Sequence, residues 1–185
     1  MFEINKKLET EIDLNGTIYP LKLSFDRVMN VLELMKSSKL NDLQKVQFGL
    51  KHLLGVVPDL TVEDLFRVFN GILEHFIRDE EREKEVDLNG DPMPVRVMKP
   101  TYDLKKDAKL IYVSFKQAYG IDLLAEQGKL DWRLFKIYLH ELPDETRFKQ
   151  VVNIRTQKLP TGKGVQKERE RVIKLKRLYA LPEEK

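Results

Sequence analysis

Helix start and stop signals follow one another closely between Asp103 and Ile154, and they confine this stretch to short helices that must pack on each other. Asp103 can cap a helix whose apolar positions are Leu104, Ala108, Ile111, Tyr112, Phe115, Ala118 and Tyr119. Spacings of three and four residues put these on one face, and Gly120 follows where a left-handed residue ends a helix. Asp131 can start a second helix, with Leu130 and Phe135 placed as a hydrophobic staple and Trp132, Phe135, Tyr138, Leu139 and Leu142 on its buried side. Pro143 suits the first position of a third helix, with Asp144 and Glu145 in its first turn and Phe148, Val151, Val152 and Ile154 as its apolar side. None of the three is long enough to be stable alone in water. The single tryptophan, Trp132, stands at helical spacing among core positions and is expected in the core, not at a binding surface.

Ahead of this stretch, residues 10–23 predict a β-hairpin. Ile12 and Leu14 alternate with charged residues, Asn15-Gly16 is a two-residue turn signal, and Ile18, Leu21 and Leu23 return. Pro20 makes the second strand an edge or bulged strand. Three helices follow. Ser24 is an expected N-cap for the first, Asn41 or Asp42 starts the second, which Gly55 and Pro58 stop, and Thr61 opens the third. The third runs into the mixed-charge segment 78–85, expected as a solvated helix end, and residues 86–100, with three prolines, read as a linker or irregular hairpin. The expected fold is mainly α: a helical bundle-like body with a short N-terminal β-hairpin. Its expected parts are residues 1–85 (hairpin and three helices), the linker 86–100, a central helical unit 101–160 and a basic C-terminal helix within 161–185.

Composition excludes several function classes. No apolar run of about eighteen residues exists to span a membrane, and the N-terminus carries no apolar export signal. With no cysteine there are no disulfides or thiolate metal sites, which fits a reducing cytoplasm. His52, His75 and His140 lie on different expected helices without metal-ligand spacing, so no metal site is expected. Asp87, Asn89 and Asp91 begin like a calcium loop, but Pro92 and Met98 stand where Gly and Glu are required. Around Gly162-Lys163-Gly164 the phosphate-loop pattern fails at Gln157 and Gly164. No carboxylate pair is marked as acid and base. The expectation is a non-enzymatic protein with no catalytic residues and no cofactor.

One feature remains that could bind something directly. Residues 155–185 hold ten Lys/Arg and four Asp/Glu, a net of +6, whereas residues 1–154 carry a net of −3. A helix from about Gln166 to Tyr179 places Val172, Leu175, Leu178 and Tyr179 on one side, and Lys167, Arg169, Arg171, Lys174, Lys176 and Arg177 cover much of the rest. These six are the candidate partner-binding residues. A solvated helix, a nucleic-acid contact and an acidic protein partner all remain open, although Glu168 and Glu170 count against a dedicated phosphate-binding face.

Finally, the central stretch carries Tyr102-Asp103 and Asp107, Leu110-Ile111-Tyr112-x-Ser114-Phe115, Tyr119-Gly120-Ile121-Asp122-Leu123, Leu130-x-Trp132-x-x-Phe135, Leu142-Pro143-x-x-Thr146-x-Phe148 and Ile154-Arg155. In this order and spacing it resembles the bacteriophage "gene product fifteen" family of long-tailed phages and prophages of Gram-positive bacteria. The pattern is departed from at Asp131-Trp132-Arg133, where the family tends to have His-Trp-Trp. The resemblance implies a tail assembly chaperone that holds the tape-measure protein until tail-tube protein subunits polymerise around it. A structural tail component retained in the virion is the alternative it leaves open. It supplies no catalytic residues.

Overall fold

The computed structural model describes residues 4–78, 101–162 and 164–181. Among them are seven α-helices and a single two-stranded antiparallel sheet, so the fold is mainly α with a short N-terminal hairpin. The elements are β1 (Glu11–Leu14), β2 (Thr17–Pro20), α1 (Phe25–Met35), α2 (Asp42–Leu54), α3 (Val62–Ile72), α4 (Ala108–Tyr119), α5 (Trp132–His140), α6 (Arg147–Thr156) and α7 (Gln166–Leu178). Two compact units divide them. The first contains described residues 4–78 and 127–136, and the second contains 101–126 and 137–181. The 86–100 linker, most of the 78–85 charge run, the calcium-like loop from Asp87 to Met98, and Lys163 lie outside the described residues.

In the first unit, Asn15 (φ 55°) and Gly16 (φ 84°) form the hairpin turn, and the Gly16 amide donates to Asp13 Oδ1 at 2.7 Å. Positive φ at both positions matches the right-handed twist of the flanking strands. The register pairs Ile12 with Tyr19, and Glu11 with Pro20 at the open end. α2 carries a complete capping box: the Gln44 amide donates to Asn41 Oδ1 at 2.8 Å, and the Asn41 amide donates to Gln44 Oε1 at 3.0 Å. It ends on left-handed Gly55. α1 packs on α2 and α2 on α3, closing a core that includes Val28, Val31, Leu50, Leu53 and Phe69. Gly49 is the close-approach point of that packing. A Cβ there would run into the Phe69 ring.

Ser24 does not cap α1 with its side chain. Residues 130–132 hold it extended in a single antiparallel bridge with Asp131: the Phe25 amide donates to Leu130 O (2.9 Å) and the Trp132 amide to Leu23 O (2.7 Å). Segment 127–136 is thereby woven into the N-terminal unit. There Trp132 is buried, its ring stacked on Phe135, which stacks in turn on Phe25. Asp131 caps α5 by accepting from the Arg133 amide at 2.8 Å. It also takes the Arg133 guanidinium in a two-pronged pair, and that guanidinium reaches Glu9 O and lies over the Phe76 ring. The departure from the family pattern thus forms its own closed contact set.

α3 and the turn that follows it end as the charge run begins, and residues 79–85 of that run lie outside the described residues. α3 widens into a π-helical turn, Leu73–Ile77, and stops at extended Arg78, whose amide donates back to Leu73 O. The freed Ile77 carbonyl accepts from Trp132 Nε1 (2.9 Å) and Lys136 Nζ (3.1 Å). An indole donor and a cation satisfy the negative end of the helix there.

In the second unit, α4 packs on α6, and α6 on α7. α4 begins at Ala108, not directly after Asp103. Asp103 instead closes the preceding turn by accepting from the Lys105 and Lys106 amides. α6 likewise starts at Arg147, four residues beyond Pro143. Thr146 is extended, its hydroxyl donating to Pro143 O at 2.7 Å, so Pro143 opens a turn. The Phe148 amide, at the start of α6, donates to buried Ser114 Oγ on α4.

Candidate partner-binding surface

The basic C-terminal helix forms as expected, and packing sorts its six cations into two groups. Only Val172 is buried on α7, so polar contacts hold much of the helix in place. Lys176 Nζ donates to Arg155 O at 3.0 Å and Arg169 Nη1 to Pro160 O at 3.4 Å, so both cations face inward and are half-buried. Tyr179 just past the helix is held twice. Its carbonyl accepts from Arg155 Nε at 2.7 Å, and its ring and hydroxyl engage the Arg147 guanidinium.

Arg155 is the centre of this arrangement. Its two terminal nitrogens grip Asp107 at 2.6 and 2.8 Å, and Nη1 also reaches Thr101 O at 3.2 Å. The side chains are 11% and 4% exposed, so the pair is essentially removed from water. Burial pushes the Asp107 carboxyl up. The Arg155 hydrogen bonds, the Asp103 amide and the charges of Arg155 and Lys106 overcome that and hold it below the usual carboxylate range. One guanidinium therefore ties the entry to α4, the end of α6 and the end of α7 together. Asp107 and Arg155 both stand in the sequence pattern of the central stretch, and at 48 residues apart their spacing gives no sign of the link.

The other four cations, Lys167, Arg171, Lys174 and Arg177, are exposed. At about 100° per residue, positions 167, 171, 174 and 178 fall within one narrow stripe, with 177 beside it. Leu178 therefore lies on the basic side, 70% exposed, and not with Val172 and Leu175 as expected from spacing. Glu168 stands 3.9 Å from Arg171, a largely exposed pair, and Glu170 bonds Gln166. Among the described residues no group of three or more His, Cys, Asp or Glu is positioned to hold a metal, and no helix is long and apolar enough to cross a membrane. The three histidines lie exposed on α2, the π-helical turn after α3 and α5.

No curated protein and no solved structure shows a significant match to the chain. The family model described as "Bacteriophage Gp15 protein" matches residues 4–181, which takes in every element described above. The chain therefore belongs to the bacteriophage Gp15 protein family, a family of phage structural or assembly proteins.

Proposed function

We propose that this chain is a non-enzymatic tail assembly chaperone that binds the tape-measure protein and helps recruit tail-tube subunits. Its setting is the host cytoplasm. Family membership supports the phage-assembly part of the reading. The observation that carries protein binding is the division of α7. Its inward cations bond backbone carbonyls of the fold, whereas four outward cations are exposed, and among the described residues their side chains show a single ion pair, the exposed Arg171–Glu168 contact. A tape measure is a long helical client that would self-associate when free, and a helix displaying charge and an apolar side chain suits such a client.

Co-expression with the tape-measure protein of the same phage tests this. The expected result is a soluble complex, with the tape measure aggregating when this chain is omitted. A tape measure that stays soluble alone and never co-purifies would overturn the reading. Mass spectrometry of finished particles provides a second check, because a chaperone is absent from them and a structural component is retained.

A further inference from the structure

The outward face of α7 has a polarity of its own. Its first turns carry Glu168 and Glu170 between Lys167 and Arg171, whereas residues 171–181 hold Arg171, Lys174, Lys176 and Arg177 and no acidic residue at all. Of these, Lys176 is turned inward onto Arg155 O. Arg171, Lys174 and Arg177 remain exposed at intervals of three residues, and Leu178 closes the row. The side chains of Lys174 and Arg177 make no hydrogen bond or ion pair among the described residues. Val172, Lys176, Arg169 and Tyr179 dock α7 from its other side.

Position by position, the row discriminates between ligands. Three cations rising about 4.5 Å apart along the axis span about 9 Å, close to the rise between carboxylates at positions i, i+3 and i+7 on one face of a facing helix. An exposed leucine at the end of the row has no use against phosphates but packs against an apolar seam. The glutamates at the start would repel a nucleic-acid backbone, yet can face basic residues on a protein. We propose that the Arg171–Lys174–Arg177–Leu178 face of α7 is the docking site for an acidic amphipathic α-helix. In the setting of tail assembly, on which this part rests, that helix is a segment of the tape-measure protein.

The full-length chain, titrated with a synthetic amphipathic helix carrying glutamates around a leucine seam, tests the site directly. Binding is expected to weaken steeply with added salt. The triple reversal R171E/K174E/R177E should weaken it at least tenfold, and Leu178→Ser should weaken it as well. A charge-matched control at exposed Lys39, Lys51 and Lys109 should leave it unchanged, and circular dichroism should show all variants folded. No binding of the peptide, equal loss in the control, or tighter binding of a DNA duplex than of the peptide would each overturn the proposal. The two readings separate on the tape measure itself. If wild type and triple reversal capture it equally, the α7 site fails and the chaperone function stands. If the peptide binds as expected but the tape measure is never captured, the site stands and the chaperone function fails.

Discussion

Arg155 and Asp107 show how much a single pair can decide when it is out of water. Desolvating two charges is costly, and here it is offset by a two-pronged contact plus hydrogen bonds to Tyr179 O, Thr101 O and the Asp103 amide. Removing one partner strands the other, so Arg155→Ala should lower unfolding free energy by about 3–5 kcal/mol in denaturant titration. The sign of the pH dependence follows from Asp107. Its native pKa lies below its unfolded value, so its contribution is fully present above the unfolded pKa and disappears as pH falls through the native one. The stability gap between wild type and Asp107→Asn should therefore be widest near neutrality and shrink on acidification. A gap independent of pH would show that the carboxylate charge is not what the site uses. Trp132→Ala removes a buried ring stacked on Phe135 and the donor to Ile77 O, and should cost about 3–5 kcal/mol. An unchanged thermal midpoint would place that ring at a surface instead.

At the scale of elements, local chemistry and packing sometimes pull in opposite directions. Gly49 sits inside α2, where alanine would favour the helix by about 1 kcal/mol. Yet an alanine Cβ would meet the fully buried Phe69 ring of α3, and overpacking of this kind costs about 1–3 kcal/mol. Gly49→Ala should therefore be net destabilising, and a raised melting temperature would show that the ring yields freely. Element starts show a related limit. Asn41, Asp131 and the Asn15-Gly16 turn act through atoms two to four residues away and were legible in sequence. The starts of α4 and α6 were not. Asp103 and Pro143 are sound turn and helix openers alike, and only the demands of Arg155 on Asp107 and of the Phe148 amide on Ser114 fix where each helix begins.

For the molecule as a whole, charge bookkeeping by residue type overstates what is available for binding. Of six expected cations on α7, two are committed to backbone carbonyls. Lys176→Ala should therefore loosen α7 and speed amide exchange along it, whereas Lys174→Ala should leave exchange unchanged; equal exchange in the two would refute the division. The sequence by itself determined the mainly α character, the hairpin, most caps and the family, because each rests on spacing or on near-neighbour chemistry. Tertiary structure alone decided that 127–136 completes the N-terminal unit, that Asp107 meets Arg155, and that Leu178 faces out among the cations. Those facts depend on partners dozens of residues apart, or on which side of a helix another surface covers. Periodicity defines the faces of a helix, and only packing selects which one is left to solvent.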